Sequence, residues 1–445
     1  MKLKTNVRAG GIRIGLYVCA ERFETPLRSS HWSRSDFPYD QRDRKNSPFV
    51  NVPTHESFYD SEEKTMMKTV RSSGRKQSRV QETLRNLGVT MRLRTRITLL
   101  SLATLLPGLT TSALAQSLTV FDVPNSTYTN SLSINDGGDV TGNFADQSGK
   151  VRGFVRSRNG NISVFDGSPS ASYTTSLSIN LRGDVTGYFI GPTGLHNFLR
   201  DKSGKITVFD IAQTFAEEYS VSINNSGDVA GYYIQCFGCD GGHGFLRDRN
   251  GSITFFDVPN SLAVPGAIAT QVPGHAQGGT WPMDVNTAGD VTGFIGYPLG
   301  IPTHGFLRDR HGNVTVFDPP NGLYTESHGI NEGGAITGYF LQSVPGFHGF
   351  VRDPSGNFTV FDPPGSSGTL SVAINTGGAV TGSFTDASHS QHGFVGNPNA
   401  NIAVFDPPNS VGTLSLSINI YGDVTGSFTD GSQGFKSRGF VRKAN

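Results

Sequence analysis

The stretch SVSINNSGDVAGYYIQCFGCDGGHGFLRDRNGSITFFD, residues 220–257, decides the fold of this chain. It holds four short apolar segments, and turns that contain glycine or asparagine separate them. Apolar residues between such turns predict short β-strands that are joined in hairpins. The same four segments recur along residues 116–445, so the sequence predicts an array of repeats.

Two markers give the period of the array. An aspartate closes each Phe-Asp segment, and an asparagine ends each Ile-Asn segment, where valine replaces isoleucine once, at Val285. The aspartates are Asp122, Asp166, Asp210, Asp257, Asp318, Asp362 and Asp406. The asparagines are Asn135, Asn180, Asn224, Asn286, Asn331, Asn375 and Asn419. Most neighbouring markers are 44 or 45 residues apart, and the longest interval falls after Asp257.

A four-stranded unit of about 44 residues is typical of a β-propeller blade. The sequence therefore predicts an all-β, seven-bladed β-propeller over residues 116–445. The array opens with a lone Phe-Asp strand within residues 117–123, and it ends at residues 439–442 without the Phe-Asp strand that should follow. We therefore expect the N-terminal strand to complete the seventh blade and to close the ring.

Glycine recurs at one position of every second strand, which indicates a close approach of the backbone or a packed aromatic ring. These residues are Gly142, Gly187, Gly231, Gly293, Gly338, Gly382 and Gly426.

The charges divide the chain into two parts. Residues 1–115 hold 20 Lys and Arg against 10 Asp and Glu, whereas residues 116–445 hold 17 against 26. Nucleic-acid binding needs clustered Lys and Arg. An acidic repeat region without a basic stripe therefore argues against a nucleic-acid partner.

The N-terminal part, residues 1–115, differs in character from the repeats. Residues 1–90 show no sustained period, and we expect them to be disordered. A basic stretch after Met91, an apolar stretch up to Leu106 and a small-residue site ending at Ala115 predict a secretory signal peptide over residues 91–115. A signal normally begins a protein, so we expect residues 1–90 to be a mis-assigned extension before a true start at Met91. The alternative is a signal anchor with the basic leader in the cytoplasm.

Cleavage after Ala115 would leave a secreted or periplasmic protein without a membrane span. In such a protein Cys236 and Cys239 are expected to form a local disulfide, because oxidising compartments favour it. A redox dithiol would need a helix N-terminus that lowers the thiol pKa. A zinc site would need a fourth ligand besides the two cysteines and His243.

Histidines precede the Gly-Phe pair in several repeats. One interpretation is a ring of imidazoles that binds a metal or an acidic ligand, and the alternative is that each side chain packs at the start of a strand. They are His243, His304, His348 and His392, and Arg152, His196 and Arg438 stand near this place in other repeats. That variation favours packing. The Phe-Asp aspartates are interpreted as turn caps, since each hairpin offers too few carboxylates for a calcium loop.

The clearest irregularity is an insertion between Asp257 and Asn286, which holds His275 and Trp281. In the expected blade order, both tight hairpins lie on one rim and the variable connections lie on the other. Binding residues favour loops on a rigid scaffold. We therefore interpret His275, an exposed Trp281 and His243 as candidates for ligand binding, with drift of a surface loop as the alternative.

The repeat consensus is broken mainly at Asp284 and His328, which are further candidates for ligand binding. No Gly-x-Ser-x-Gly, His-Glu-x-x-His or phosphate-loop motif is present, and no catalytic residue, metal site or cofactor is predicted. The preferred hypothesis is a monomeric, non-catalytic binding module for a glycan, a peptide or a cell-envelope component. The alternatives are a lyase or hydrolase with its site at the channel mouth and a purely structural surface protein.

The motif Ile-Asn-x-x-Gly-x-Val-x-Gly, followed by His-Gly-Phe, resembles the HAF-type extracellular repeat family of bacteria. The resemblance covers essentially residues 117–443. It implies an exported repeat protein and supplies no catalytic residue. Here His-Gly-Phe replaces the family's His-Ala-Phe, and arginine stands where an aromatic residue is often found, as at Arg247 and Arg308.

The signal peptide leads to one direct test. N-terminal sequencing of exported material should give a chain that begins at Gln116, because cleavage follows the small residue Ala115. Any other first residue would contradict the predicted cleavage site.

Overall fold

The computed structural model describes residues 117–211, 217–234, 241–259, 279–296, 303–342 and 346–444. The predicted leader and signal peptide lie outside these residues, as do His275, Cys236 and Cys239. None of the described residues belongs to a helix long and apolar enough to cross a membrane.

The described residues form 28 β-strands and a short 3₁₀ turn, Gly431–Gln433. The strands are β1 Leu118–Phe121, β2 Tyr128–Ile134, β3 Val140–Ala145, β4 Val151–Arg156, β5 Ile162–Phe165, β6 Tyr173–Ile179, β7 Val185–Gly191, β8 Gly194–Arg200, β9 Ile206–Phe209, β10 Glu217–Ile223, β11 Val229–Ile234, β12 His243–Arg247, β13 Ile253–Phe256, β14 Gly279–Val285, β15 Val291–Gly296, β16 His304–Arg308, β17 Val314–Phe317, β18 Tyr324–Ile330, β19 Ile336–Leu341, β20 Phe347–Arg352, β21 Phe358–Phe361, β22 Ser366–Ile374, β23 Val380–Asp386, β24 Gln391–Gly396, β25 Ile402–Phe405, β26 Ser410–Ile418, β27 Val424–Asp430 and β28 Lys436–Arg442.

The fold is all-β and consists of repeated four-stranded antiparallel sheets, as the sequence predicts. The described strands form five sheets of four strands and one larger sheet. The larger sheet contains two four-stranded units, β2 to β5 and β6 to β9, joined through a single parallel pair of residues, Val151 and Tyr173. The first strands of successive units contact one another, and β2 also contacts β26. We call β2, β6, β10, β14, β18, β22 and β26 the inner strands.

The last sheet takes its fourth strand from the beginning of the described chain. Strand β1 pairs antiparallel with β28, so that Leu118 lies opposite Arg442 and Phe121 lies opposite Gly439. Phe121 is buried together with Val123 in a core that also contains Phe154 of the first unit. The lone Phe-Asp segment therefore fills the position that the final repeat lacks.

A tight turn follows each inner strand, as the Asn-x-x-Gly spacing predicts. In the first turn Asn135 N donates to the Asp139 carbonyl over 3.0 Å, and Gly138 N donates to the Asn135 carbonyl over 3.0 Å. Gly138 has a φ of 81°, which glycine adopts at little cost. The Asn135 side-chain oxygen accepts a further bond from Asp139 N, so the asparagine stabilises its own turn.

The same asparagines connect neighbouring units, which hairpin chemistry alone does not predict. Asn135 Nδ2 donates to the backbone carbonyl of Asn180 over 2.9 Å. Within the described residues the series continues from Asn180 to Asn224 (3.1 Å), Asn224 to Asn286 (2.8 Å), Asn286 to Asn331 (3.4 Å), Asn331 to Asn375 (2.9 Å), Asn375 to Asn419 (3.0 Å) and Asn419 to Asn135 (3.3 Å). All seven side chains are buried. The asparagine series therefore returns to the residue from which it starts.

The recurring second-strand glycines lie against the inner strands, as expected for a close approach. A Cβ atom added to Gly142 would lie 2.0 Å from the Asn130 carbonyl oxygen, and one added to Gly426 would lie 1.9 Å from that of Leu414. Next to this contact the inner strand bulges, for example between Ser131 and Ser133. No side chain fits at this position, because the opposing group is backbone.

Arginines stack on phenylalanines of the preceding unit. Arg247 lies 4.8 Å over the ring of Phe209, and Arg308 lies 4.8 Å over Phe256. The other described pairs are Arg156 with Phe121, Arg200 with Phe165, Arg352 with Phe317 and Arg442 with Phe405. Each of these arginines thus has a packing partner in the neighbouring unit, since guanidinium groups favour aromatic faces.

The position of β1 leads to a stability prediction. Phe121→Ala should lower the free energy of unfolding by about 3–5 kcal/mol, because a buried ring that packs on Phe154 and under Arg156 is lost. Chemical denaturation of the full chain measures the effect. Thr119→Ala, an exposed position of the same strand, is the control. Equal midpoints for both variants would contradict the placement of β1.

Candidate functional site

One cross-strand pair differs between the units more than its surroundings. One member of the pair lies on the inner strand, four positions before its last residue. The other lies on the second strand, directly after the recurring glycine. In chain order the pairs are Asn130 with Asn143, Thr175 with Tyr188, Tyr219 with Tyr232, Trp281 with Phe294, Glu326 with Tyr339, Leu370 with Ser383 and Leu414 with Ser427. Aromatic residues occupy this position in four consecutive units and are replaced by small, polar or aliphatic residues in the other three.

These rings form a continuous series of contacts across the four units. Ring centroids are 4.9 Å apart for Tyr188 and Tyr219, 5.1 Å for Tyr219 and Tyr232, and 4.8 Å for Tyr232 and Trp281. The series continues from Trp281 to Phe294 at 6.4 Å, from Phe294 to His328 at 6.2 Å and from His328 to Tyr339 at 5.0 Å. We call these seven residues the aromatic band. Tyr219, Tyr232, Trp281 and Phe294 are half-buried, so part of the surface of each residue remains accessible.

Two glutamates contact the band through hydroxyl groups. The Tyr219 hydroxyl donates to Glu217 Oε2 over 2.6 Å, and the Tyr339 hydroxyl donates to Glu326. Glu326 also lies 3.2 Å from His328 Nε2. Burial, together with the hydrogen bond and charge of Glu217, raises the pKa of Tyr219, so its hydroxyl remains a donor at neutral pH.

Trp281 lies in a different place from the one that the sequence suggests. The insertion pattern predicts an exposed loop tryptophan, whereas Trp281 is a half-buried residue of β14. Thr280 N donates to the Gly242 carbonyl over 2.6 Å, and a Cβ added to Gly242 would lie 3.0 Å from the indole ring. Gly242 follows Cys239 by three positions in the sequence. The chain after the cysteine pair therefore packs directly on Trp281.

Asp284 takes over a structural contact that serine makes elsewhere. Ile330 N donates to Asp284 Oδ2 over 2.9 Å, just as Ile179 N donates to Ser133 Oγ over 3.4 Å in an earlier unit. Ser222 Oγ donates to Asp284 Oδ1 over 2.6 Å. Burial raises the pKa of Asp284 to about 6, although these hydrogen bonds favour the charged form.

Asp284 also lines a central cavity of about 160 Å³. The turns after the inner strands of all seven units contribute to its wall, including Asn135, Asn224 and Asn375. The cavity therefore lies at the asparagine end of the inner strands, whereas the aromatic band lies four residues earlier along them.

The histidines before the Gly-Phe pairs have a shared structural partner. Each described one pairs with the aspartate of its own Phe-Asp segment, as His304 Nδ1 does with Asp318 over 2.7 Å. The other pairs are His196 with Asp210, His243 with Asp257, His348 with Asp362 and His392 with Asp406, and arginine replaces histidine in Arg152 with Asp166 and Arg438 with Asp122. These aspartates thus accept hydrogen bonds from the third strand, because the antiparallel register places the two residues side by side. Asp362 and Asp406 also accept hydrogen bonds from Thr369 and Thr413 across the connection that follows, so turn capping is part of their role.

The structure brings some of the sequence candidates together and separates others. Trp281 and His328 both belong to the aromatic band, whereas Asp284 lines the central cavity and His243 packs beside Tyr233 with a ring distance of 5.1 Å. No group of three or more His, Cys, Asp or Glu side chains in the described ranges could hold a metal ion.

Sequence reasoning missed the tyrosines and glutamates of the site. A signal for them exists in the residue that follows the second-strand glycine. It is aromatic at Tyr188, Tyr232, Phe294 and Tyr339, and it is Asn143, Ser383 and Ser427 in the other repeats. Comparing this position across all repeats would have identified the units that carry the band.

Known proteins offer a weak likeness only. No protein-family model matches the chain, and no curated protein matches it. Virginiamycin B lyase from Staphylococcus aureus is similar at 15% identity and a TM-score of 0.48, over 74% of this chain and 99% of that protein. A streptogramin B lyase structure is similar at 14% identity and a TM-score of 0.46, over 74% of this chain and 98% of that protein. The Aleuria aurantia lectin is similar at 12% identity and a TM-score of 0.36, over 65% of this chain and 96% of that protein. Such values assign no family or activity.

Asp284 leads to a prediction of pH dependence. The pKa of Asp284 is about 6 in the folded chain, above the 3.8 of an aspartate in water, so its protonated form stabilises the fold below pH 4. This contribution to the free energy of unfolding is lost as pH rises through 6. Compared with Asp284→Ser, the wild type should therefore lose at most about 3 kcal/mol of unfolding free energy between pH 4 and 8. Urea denaturation measures it. The control is Ser178→Ala, at the same position of an earlier unit, for which the difference from wild type should not change with pH.

Proposed function

We propose that the chain is a seven-bladed β-propeller, closed between β1 and β28, that acts as an exported, non-catalytic binding module. Two contacts support closure. The pairing of β1 with β28 joins the two ends of the repeat region, and the asparagine series passes from Asn419 back to Asn135. The resemblance to HAF-type repeats and the predicted signal peptide over residues 91–115 support export.

The aromatic band is the proposed binding site, and its restriction to four consecutive units is the observation that carries the proposal. In the other units Asn130, Leu370 and Leu414 occupy the inner-strand position without changing the strand pairing. The fold therefore does not require aromatic residues there. Half-buried Tyr and Trp side chains combine an apolar surface with a hydrogen-bonding group, which suits a glycan ring or a peptide side chain.

The proposed module is non-catalytic because the acid and base candidates have structural partners. Asp284 makes the contact that Ser133 and Ser178 make in other units, and His328 and Glu326 contact each other. One observation favours the alternative, a propeller lyase or hydrolase. The raised pKa of Asp284, about 6, is suited to proton transfer near neutral pH.

A binding screen tests the proposal. The full chain is applied to glycan and peptide arrays as wild type, as Trp281→Ala and as Tyr421→Ala. Tyr421 is 67% exposed and lies at an asparagine turn, away from the band, so it is the matched control. Trp281→Ala should lower the affinity for any captured ligand roughly tenfold or more, as expected for a central aromatic contact, and Tyr421→Ala should not.

Two outcomes would contradict the proposal. One is a ligand whose affinity falls with Tyr421→Ala and not with Trp281→Ala, which would move the site to the other end of the inner strands. The other is turnover of a glycan or ester substrate that Asp284→Asn or His328→Ala abolishes, which would establish the enzyme. Circular dichroism of each variant confirms that it is folded.

A further inference from the structure

The corner formed by Tyr219, Tyr232 and Trp281 combines half-buried rings with a nearby half-buried carboxylate, Glu217. Tyr219 and Tyr232 are tilted by 38°, and Tyr232 and Trp281 are turned by 69°, so the three rings present faces in different directions. All three side chains keep partial exposure. The rings contact one another, with centroids 4.8–5.1 Å apart, so a ligand group can approach only the outward parts that remain exposed.

Glu217 gives this corner a negative charge. Its carboxylate is half-buried, and its hydrogen-bond partner in the described residues is the Tyr219 hydroxyl, at 2.6 Å. The described salt bridges of Lys and Arg go to aspartates elsewhere, such as Asp166 and Asp423. The charge of Glu217 also acts on both tyrosines, since it contributes to the raised pKa of Tyr219 and of Tyr232 after the effect of burial.

Aromatic faces beside one carboxylate favour an organic cation over a bare metal ion. A ring face attracts cations through its quadrupole, and an organic ammonium group also gains from apolar contact with the ring. A bare metal ion needs several donor atoms, and the described residues hold no group of three candidate ligands. The repeat region is acidic, with 17 Lys and Arg against 26 Asp and Glu, which favours the approach of a cation.

We propose that the corner of Tyr219, Tyr232 and Trp281, with Glu217, binds an organic ammonium group of the ligand. This inference rests on the proposed binding function and narrows its ligand class. The rings replace the hydration of the alkyl groups on nitrogen, and Glu217 balances the positive charge. A neutral sugar that stacks on Trp281 is the competing outcome.

Tryptophan fluorescence offers a direct test, because the chain contains two tryptophans, Trp32 and Trp281. In the full chain with Trp32→Phe, the emission comes from Trp281 alone. Tetramethylammonium, choline and lysine amide are titrated as cations, and 3,3-dimethyl-1-butanol is the neutral isostere of choline. The quaternary and primary ammonium probes distinguish which kind of cation fits the corner.

At least one cation should perturb the emission in a saturable manner and bind about 3- to 30-fold more tightly than the neutral isostere, the range expected for a cation on aromatic faces. Raising the ionic strength should weaken that binding, because salt screens the charge of Glu217. Glu217→Gln should weaken it by a similar factor. Glu332→Gln, at an asparagine turn, should leave it unchanged and is the matched control.

The outcomes separate the two proposals. Equal affinity for choline and its neutral isostere, no effect of Glu217→Gln, or no response to any cation would overturn the ammonium proposal. A glycan that still depends on Trp281 in the array experiment would leave the binding function intact. The salt dependence is measured on the chain with Trp32→Phe, in which the proposed site is unchanged. It therefore tests the role of charge in binding even if Glu217→Gln does not fold.

Discussion

The asparagine series is the interaction on which the rest of the structure depends. Each side chain uses its oxygen to hold its own turn and its nitrogen to hold the backbone of the next unit, as Asn135 does with Asp139 N and the Asn180 carbonyl. A single such bond contributes only about 0.5–1.5 kcal/mol, but a buried amide without its partners costs about 1–3 kcal/mol. Every unit is therefore hydrogen-bonded to two neighbours at the turn that follows its inner strand.

This arrangement separates the residues that build the fold from those that are free to vary. The asparagines, the second-strand glycines and the stacked arginines each satisfy a contact with backbone or with the next unit, as Gly231 does with the Tyr219 carbonyl. The cross-strand pair beside the glycine meets its neighbours in different ways. Ser427 Oγ accepts a hydrogen bond from Ser131 N of the next unit, whereas Trp281 and Phe294 pack ring against ring, and the strand pairing is the same in both. A localised cluster of aromatic and acidic residues can thus arise on one side of the array without disturbing the strand pairing.

The structure of the repeat unit could be predicted from the sequence because turns are determined by residues that are close together in the chain. The Asn-x-x-Gly turns, the four-stranded antiparallel sheets and the pairing of the first strand with the last sheet all follow from residues close together in the chain or from a missing segment. The site was harder to predict because it depends on contacts between units. Tyr188 and Tyr219, or Phe294 and His328, are far apart in sequence and meet only through packing. Trp281 shows the same limit, since its half-buried place in β14 depends on Gly242 of the preceding unit.

The pairing of β1 with β28 also has a consequence for biosynthesis. Strand β1 is among the first parts of the repeat region to leave the ribosome, whereas β28, opposite Phe121, is among the last. Lys443 N donates to the Ser117 carbonyl over 2.9 Å, so the contact extends beyond the end of β28. Phe121 can pack on Phe154 once the first unit is made, but β1 has no strand partner until β28 is synthesised. Synthesis of the last repeat is therefore the event that ends the exposure of this strand edge to aggregation.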